Sequence, residues 1–449
     1  MKKNLVRKIF PAHIGRGTGS TWVAPAGVEE VTVSVFDRFN KLTSFGNSNG
    51  YALRRTGVAY AWGPNAVGQL GDATIAAKSI ITLVTGGHSF VQLSGGNTFA
   101  TALKADGSAW AWGLGTSGQL GDGTIVSKSV PTAAVGGHSF VQISAAGTSV
   151  SALKSDGKVW SWGDNTFGQL GDNTQVFKSS PVVMSGSFIF RKICASDAST
   201  TMAMSLTNAI FCWGNNSVGQ LGTNTTALIA TTPTQVVAAG LNSYLDATLG
   251  TTHAVSIQTN GSAWTWGANT FGQLGNGSSD LGGGSNRSSP VAVLGGHSFI
   301  QVTAGAAFSS ALKADGSAWT WGVNVNGELG DGTVNQRVSP VPVIGGHSFI
   351  QIEASGNTMA ALKADGSIWT WGRGLEGQLA DNTIVNKSSP VQVVGGNLFE
   401  AGVQFLNKRT FTVTPGSGYF INGFLTQIGT QLMITNTGNS VYIVLEYYA

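Results

Sequence analysis

Charged residues are scarce in this sequence. Asp, Glu, Lys and Arg together supply 10% of its 449 residues, well below the quarter that is usual in soluble globular proteins. Five basic residues stand ahead of the first acidic one: Lys2, Lys3, Arg7, Lys8 and Arg16. The remaining 20 basic side chains face 21 acidic ones, so the body is nearly neutral and we expect no general nucleic-acid surface on it. The basic start is interpreted either as a solvated tail or as a contact to phosphate or another anionic surface.

Long apolar runs and cysteines are also few. No stretch of roughly 18 uninterrupted apolar residues occurs, so the sequence predicts no membrane span. Residues 1–16 lack the apolar core of roughly 7–15 residues that a Sec signal peptide needs, so none is predicted. The two cysteines, Cys194 and Cys212, are too few for a disulfide framework, and no other Cys or His lies at the spacing of a metal site. We expect small buried thiols, with pairing between them left open.

Motifs for catalysis and for cofactors are missing too. The chain has no Gly-x-Ser-x-Gly elbow, no phosphate loop and no His-Glu-x-x-His motif. No nonrepeated acid, base and nucleophile can be placed together. We therefore predict a protein that is not an enzyme and that carries no cofactor and no metal.

What the sequence has in abundance is glycine, 64 residues, arranged on a strict period. A Trp-Gly pair recurs seven times with spacings of 50 to 55 residues, its tryptophans being Trp62, Trp112, Trp162, Trp213, Trp266, Trp321 and Trp371. Self-similarity at a fixed period identifies a repeat protein.

Each repeat contains four short strand signals. In the third copy these are 140–143, 151–154, 158–162 and 181–184, with an Asp-Gly hairpin between the second and the third. A proline opens the last strand in six copies, which suits an outermost strand: Pro131, Pro181, Pro233, Pro290, Pro340 and Pro390. Four strands in about 50 residues predict an all-β fold, a seven-bladed β-propeller of four-stranded blades with short β-rich N- and C-terminal extensions.

Three domains follow from the same pattern. Residues 1–35 form a basic N-terminal segment with one strand, alternating at Val31, Val33 and Val35, for attachment or oligomer contact. Residues 36–396 form the propeller. Residues 397–449 form a C-terminal β-rich segment with strand signals at 410–413, 431–434 and 441–445. Seven repeats look complete, so neither end is expected to close the ring.

The repeated pattern Trp-Gly-x-Asn-x-x-Gly-Gln-Leu-Gly, clearest at 162–171 and 266–275, resembles the regulator of chromosome condensation repeat family over about residues 36–396. The resemblance implies a seven-bladed propeller. It implies no single function, because the family includes a chromatin-bound nucleotide exchange factor, bacterial secreted binding proteins and propellers within large multidomain proteins. His253 matches a histidine that family members commonly carry after a blade's first turn.

The segment Thr21–Val33 is similar to short β segments of bacteriophage tail, fibre and other virion proteins. This similarity implies a virion location after assembly in the host cytoplasm. The partners it implies are other virion proteins or a host-surface receptor, and the terminal segments are candidates for self-association.

The repeat separates framework residues from candidate sites, because a functional site should break the symmetry. Three recurring sets are interpreted as structural turn residues: His88, His138, His297 and His347; Asp106, Asp156, Asp315 and Asp365; and Asp72, Asp122, Asp172, Asp331 and Asp381. The last set is expected to bond to nearby backbone N–H groups, with calcium loops as the alternative. Twelve of the 13 tryptophans lie in the repeated Trp strands, where we expect blade-against-blade packing and locally bonded indole N–H groups.

The loop after each Trp-Gly is where the repeat varies. Equivalent loops lie on one face of a propeller, so their differences tile one surface. The candidate partner-binding residues are Phe167, Phe271, Asn326, Arg373 and Glu376, with the aromatic side chains as anchors. Drift in exposed loops, or local packing of the phenylalanines, is the alternative.

These observations predict a non-enzymatic structural and binding protein, a bacteriophage virion component of the tail, fibre, baseplate or head decoration. The first alternative is a bacterial protein-binding propeller, either an inhibitor or an adhesin. The second is a chromatin or GTPase regulator.

Overall fold

The computed structural model describes residues 49–394 except 55, 226, 238–243 and 280–284, the side chain of residue 146 also lying outside it. Outside that range it describes the backbone of seven strands. The chain divides into two compact units, one of residues 1–40 with 398–449 and one of residues 41–397. Among the described residues, no helix is long and apolar enough to cross a membrane.

The secondary-structure elements that the structure describes are all β-strands. In chain order they are β1 (Leu5–Ala12), β2 (Thr21–Val23) and β3 (Glu30–Phe36); blade 1, β4 (Phe39–Phe45), β5 (Gly50–Arg54), β6 (Ala59–Gly63) and β7 (Lys78–Leu83); blade 2, β8 (Gln92–Gly95), β9 (Phe99–Leu103), β10 (Ala109–Gly113) and β11 (Lys128–Ala133); blade 3, β12 (Gln142–Ala146), β13 (Ser149–Leu153), β14 (Val159–Gly163) and β15 (Lys178–Val183); blade 4, β16 (Phe190–Ser196), β17 (Thr200–Ser205), β18 (Ile210–Asn215) and β19 (Ile229–Gln235); blade 5, β20 (Tyr244–Leu249), β21 (His253–Gln258), β22 (Ala263–Gly267) and β23 (Arg287–Ala292); blade 6, β24 (Gln301–Ala304), β25 (Phe308–Leu312), β26 (Ala318–Gly322) and β27 (Arg337–Pro342); blade 7, β28 (Gln351–Ser355), β29 (Thr358–Leu362), β30 (Ile368–Gly372) and β31 (Lys387–Gln392); and finally β32 (Phe405–Thr412), β33 (Gly418–Phe420) and β34 (Val441–Tyr448).

The terminal unit joins the two ends of the chain in one antiparallel sheet of order β1-β34-β3-β32, and β2 pairs with β33. Val33 lies opposite both Leu445 and Arg409, so the strand expected at 31–35 is an interior strand with partners from the C-terminal segment. The strand predicted at 431–434 lies outside the described residues.

The larger unit consists of seven antiparallel sheets, each built from four consecutive strands, which confirms the predicted seven-bladed propeller. The first strands are innermost, because strands β8, β12, β16, β20, β24 and β28 contact one another in succession. The second strands β9, β13, β25 and β29 are buried at every position, and β5, β17 and β21 at every position but the last. Their small side chains permit close packing.

The fourth strand is outermost, as its prolines predict, but the proline does not open it. In blade 2 the strand begins at Lys128, opposite Gly113, and the register shifts before Ala111 pairs with Thr132. Pro131 falls in this irregular stretch. A proline that donates no N–H is tolerated at such a bulge on an edge strand, so the strand starts three residues earlier than predicted.

The Asp-Gly hairpins form as predicted. Only the glycine takes positive φ, for example Gly107 at 82°. Asp106 instead accepts hydrogen bonds from the N–H (2.9 Å) and the hydroxyl (2.7 Å) of Ser108. The same N–H contact recurs at Asp156, Asp315 and Asp365, which confirms these aspartates as turn residues.

Five of the seven Trp strands contain two tryptophans, which have different roles, and Tyr60 and Phe211 replace the first one in blades 1 and 4. The second is fully buried, and its indole N–H crosses to the preceding blade: Trp112 donates to the Gln69 carbonyl and Trp162 to the Gln119 carbonyl, both at 3.0 Å. The expectation of local bonding is therefore wrong for these residues, because the nearest unpaired acceptor belongs to another blade. The first tryptophan is half-buried, and in four of the five it bonds locally, as Trp110 does to the Ser108 hydroxyl at 3.1 Å, whereas the Trp160 indole N–H has no partner among the described residues.

In blades 2, 3, 6 and 7 each first tryptophan contacts both a histidine ring and a lysine ammonium, and in blade 3 His138 Nδ1 and Lys154 Nζ are themselves 3.3 Å apart. In blade 3 the His138 ring centroid is 4.2 Å from that of Trp160, and the Lys154 ammonium is 4.5 Å from the Trp160 centroid. Burial, and secondarily the charge of Lys154, lower the pKa of His138. The four histidines are thus structural, as predicted, and stack in four separate blades.

Candidate binding surface

The loops after Trp-Gly are fixed by a buried asparagine at their second position. In blade 3 the Asn165 Oδ1 accepts the N–H of Leu170 at 3.0 Å, and its Nδ2 donates to the Asp172 carboxylate and the Thr174 carbonyl, both at 3.0 Å. Asn65, Asn269 and Asn324 repeat this pattern. Such clamping stabilises one loop conformation.

Blades 2 and 7 have glycine at that position. In these blades the backbone of the following loop segment packs against the glycine and fixes the loop. A Cβ added to Gly374 would lie 2.2 Å from the carbonyl oxygen of Val385, so the following loop segment occupies the space of the missing side chain. The Gly374 N–H donates to Asn386 Oδ1 at 2.9 Å. These loops therefore require glycine there.

The glutamine of Gly-Gln-Leu-Gly connects each loop to the next blade. Gln169 Oε1 accepts the N–H of Phe167 at 2.9 Å, and its backbone carbonyl accepts the indole N–H of Trp213 at 3.0 Å. Gln169 is 1% exposed. The loop conformation is thus coupled to packing between blades, which makes the loops part of the rigid frame.

The aspartates that follow these loops behave as predicted. Asp72 accepts hydrogen bonds from the N–H (3.0 Å) and hydroxyl (2.7 Å) of Thr74 and lies 3.6 Å from the Lys78 ammonium. Burial acts to raise the pKa of Asp72, but the Thr74 and Asn65 hydrogen bonds and the charge of Lys78 outweigh it, so the pKa lies below its ordinary value. Within the described ranges, no three His, Cys, Asp or Glu side chains come together as a possible metal site.

The two predicted aromatic anchors are separated. Phe167 belongs to blade 3 and Phe271 to blade 5, and both are half-buried. Phe271 packs against the apolar cluster between blades 6 and 7, which includes Phe308 and Val323. Phe271 therefore contributes packing as well as surface.

The three predicted polar residues are close to one another on neighbouring blades. Asn326 in blade 6 accepts the Asn386 amide of blade 7 at 3.1 Å. In blade 7 the Arg373 guanidinium donates to Glu376 Oε1 at 2.6 Å. Asn326 also donates to the buried Glu328 at 2.7 Å, so these polar groups are largely satisfied internally.

Sequence reasoning missed the most exposed position of these loops, the third. It carries Val325, 69% exposed, and Leu375, 55% exposed, whereas the blades before them have Ala66, Thr116, Thr166, Ser217 and Thr270. The signal was present as a switch from small or polar to aliphatic residues in two consecutive repeats. We define the blade 5–7 arc as Phe271, Val325, Asn326, Arg373, Leu375 and Glu376.

A cavity lies between the innermost strands of the propeller. This axial cavity of about 140 Å³ is lined by the ends of six innermost strands, including Ser94, Cys194, Asp197 and Glu353. Asp197 accepts the Gly147 N–H at 2.9 Å, and burial raises the pKa of its carboxyl. The lining is mostly hydroxyls and small side chains, and its acids belong to different blades.

Both cysteines are free; Cys212 is buried, as expected, whereas Cys194 is half-buried and lines the axial cavity. Cys194 and Cys212 both lie opposite Met202, on either side of the strand that contains it. Two strand spacings amount to about 9.5 Å, which is beyond the reach of a disulfide. Burial raises the pKa of both thiols.

Comparisons with known proteins agree with this architecture. A family model described as an RCC1-like domain matches residues 13–347, and a model of the regulator of chromosome condensation (RCC1) repeat matches residues 365–405. Among curated relatives, the human probable E3 ubiquitin-protein ligase HERC6 is 31% identical over 126 residues, which is 28% of this chain and 12% of HERC6. The human E3 ubiquitin-protein ligase HERC2 is 31% identical over 129 residues, 28% of this chain and 2% of HERC2.

Solved structures give the fold. Prp20p from Saccharomyces cerevisiae superposes with a TM-score of 0.65 at 16% identity, covering 95% of this chain and 92% of Prp20p. Human WBSCR16 superposes with a TM-score of 0.63 at 18% identity, covering 75% of this chain and all of that chain. The curated relatives are far longer, so the matched part is a small fraction of each. The family model covers well over half of the chain, and the chain belongs to the RCC1-like domain family.

Proposed function

We propose that this propeller is a non-catalytic scaffold that binds a protein partner through the blade 5–7 arc. The observation that carries the proposal is the contrast within one set of loops. A buried asparagine fixes the loop in five blades and a glycine with close backbone packing does so in blades 2 and 7, while the exposed side chains differ. Only blades 6 and 7 display aliphatic residues, Val325 and Leu375, at the third position.

Rigid loops favour binding because little conformational entropy is lost when a partner docks. Protein interfaces usually have an apolar centre and a polar rim. Val325 and Leu375 would form the apolar centre here, and the hydrogen-bonded side chains of Asn326, Arg373 and Glu376 would form the rim. The Arg373–Glu376 pair, with side chains 33% and 40% exposed, would add selectivity in orientation rather than much affinity.

The proposal is tested with a photoreactive phenylalanine analogue placed at Leu375 in the full chain, and at Ile75 in blade 1 as the control. Ile75 is 69% exposed and lies outside the arc. We expect one protein to be cross-linked from position 375 and not from position 75, and Val325→Asp to reduce that product at least tenfold. Equal products from both positions, or insensitivity to Val325→Asp, would remove the arc as the binding surface.

A second candidate function is regulation of a small GTPase or of chromatin. The observation that favours it is the similarity to Prp20p along nearly the whole chain, a protein whose described properties include binding to Gsp1p and histones. The assay is direct binding of purified Gsp1p and of core histones, with a variant lacking residues 2–16 to detect salt-sensitive contacts of the basic start. Absence of both interactions at physiological salt ends this candidate.

A virion location stays a prediction based on residues 21–33. It is tested by mass spectrometry of purified particles, where the protein must be found in fixed proportion to known structural proteins. Its recovery only as free protein in the host cytoplasm would eliminate the location without affecting the blade 5–7 arc.

A further inference from the structure

The innermost strands carry a second, unpredicted pattern at the end opposite the axial cavity. In blades 2 to 7, one exposed residue comes directly before the first side chain that contacts the next innermost strand. This residue is aliphatic in five of the blades and basic in one: Val91, Val141, Arg191, Leu245, Ile300 and Ile350. The five aliphatic residues are 49–58% exposed. We call these six residues the axial annulus.

The annulus surrounds the propeller axis because adjacent innermost strands are clasped together just beneath it. Gln92 donates to the Ile143 carbonyl at 2.8 Å and accepts the Ile143 N–H at 3.1 Å. The same two bonds join Gln142 to Ile193 and Gln301 to Ile352. The aliphatic side chains are therefore held beside one another in a fixed arc.

The annulus is at the opposite end of the blades from the blade 5–7 arc. In blade 2, Gln92 pairs with Leu103, and Leu103 pairs with Ala109 at the start of the third strand. The Trp-Gly loops leave from the other end of that strand, after Gly113. The two surfaces are thus independent.

Arg191 is the one charged member of the annulus. It is exposed, and its guanidinium contacts only the Tyr244 carbonyl, at 3.4 Å, with no carboxylate paired to it among the described residues. The adjacent Lys192 is paired with Asp246 and adds no free charge. Arg191 is therefore the one cation among the six residues of the annulus. The leucine carbonyls that accept the N–H groups of its members Val91, Val141, Ile300 and Ile350 are each followed by a lysine, Lys104, Lys154, Lys313 and Lys363, whose ammonium lies over a tryptophan ring.

We propose that the axial annulus binds an extended protein segment that presents an apolar side chain next to a carboxylate. The apolar side chain would cover aliphatic surface that a soluble protein seldom leaves clustered, and the carboxylate would pair with Arg191. A second copy of the chain fits less well. Face-to-face contact about a two-fold axis would set Arg191 against the aliphatic residues of its copy, and a buried unpaired charge opposes association.

The test is selection of displayed random heptapeptides on the immobilised full chain. We expect at least tenfold enrichment of peptides in which Asp or Glu adjoins an aliphatic or aromatic residue. Arg191→Glu should exchange that preference for Lys or Arg beside the apolar residue, and Ile300→Asn should abolish enrichment of either kind. Ile75→Asn, which changes a more exposed aliphatic residue outside the annulus, 69% against 52% for Ile300, should leave the selection unchanged.

Three results would overturn the proposal: no enrichment with the native chain, an unchanged preference in Arg191→Glu, or sedimentation with phosphatidylcholine–phosphatidylserine vesicles that Arg191→Gln abolishes. The last would assign the annulus to a lipid surface instead. Circular dichroism of each variant establishes that it is folded. Because Val325→Asp leaves the annulus intact, failure of the blade 5–7 arc would not affect this selection.

Discussion

Trp62 in the first blade donates its indole N–H to the backbone carbonyl of Gln378 in the last blade, at 2.8 Å. This bond closes the ring between residues 316 positions apart in sequence. It has the same geometry as the bonds between consecutive blades, so the closing contact is equivalent to the other six.

Replacing Trp62 by Phe should destabilise the fold by about 2–4 kcal/mol, because the buried Gln378 carbonyl loses its donor and a cavity remains. Trp110→Phe is the matched control, since Trp110 is half-buried and bonds only to Ser108. It should cost about 1 kcal/mol or less. Equilibrium unfolding in urea measures both variants, and similar losses would mean that the cross-ring bond adds nothing.

Gly71→Ala should be much more destabilising than Gly87→Ala, although the two glycines have nearly the same backbone conformation, with φ of 66° and 62°. A Cβ on Gly71 would lie 2.7 Å from Nε1 of the buried Trp112, whereas a Cβ on Gly87 meets nothing within 4 Å. Left-handed backbone alone costs about 1–2 kcal/mol, and the clash adds about 1–3 kcal/mol. Urea unfolding of the pair separates backbone strain from steric exclusion, and equal values would contradict the predicted clash.

The junction of blades 4 and 5 replaces the glutamine clasp with two charged residues. Lys192 donates to the Ala247 carbonyl at 3.3 Å, Asp246 accepts the Ala247 N–H at 2.8 Å, and the two side chains form an ion pair. Asp246→Ala should cost about 1–2 kcal/mol, because it leaves an N–H and an ammonium without their acceptor. Adding Lys192→Gln should recover at least half of that loss, since a glutamine amide supplies both the donor and the acceptor. Thermal unfolding of the single and double variants checks this, and an additive effect would contradict it.

His253 should make stability depend on pH. It is fully buried, its Nε2 lies 2.9 Å from the Ser309 hydroxyl, and burial lowers its pKa to about 4. Because the folded pKa is below the unfolded value of about 6.5, the neutral form stabilises the fold fully above that value. The stability is lost as pH falls towards 4, by up to about 3 kcal/mol.

His253→Phe is the variant that checks this, because Phe99 and Phe308 occupy the equivalent position in blades 2 and 6. The variant should fold and should lose most of the destabilisation between pH 6.5 and 4 in urea titrations. A titration midpoint near 6.5 for His253 by NMR would contradict a buried neutral imidazole.

Much of the framework could be predicted because it recurs. The Trp-Gly period indicates the blade number, the prolines indicate the edge strand, and the aspartates after Gly-Gln-Leu-Gly indicate their own turns, since each bonds to a residue two positions away. Local chemistry of this kind leaves a signature in the sequence.

The contacts that the sequence did not predict connect distant parts of the chain. Trp112 donates to a backbone carbonyl 43 residues away, and a carbonyl has no residue identity to recognise. At junctions such as that of blades 3 and 4, one glutamine both donates to and accepts from the backbone of the next blade, whereas Lys192 donates and Asp246 accepts at the junction of blades 4 and 5. This replacement can be recognised only when the two blades are seen side by side. The exposure of Val325 and Leu375 also depends on how the loops fold back on their neighbours.

The blade order has a topological consequence. Each sheet of the propeller consists of four strands consecutive in sequence, and no blade borrows a strand from another. Blades 7 and 1 are therefore the one adjacent pair that consecutive residues do not join, and the indole hydrogen bond of Trp62 to Gln378 crosses that junction. Circular permutation at any blade boundary would preserve every inter-blade contact, and the strength of closure can be adjusted at a single tryptophan.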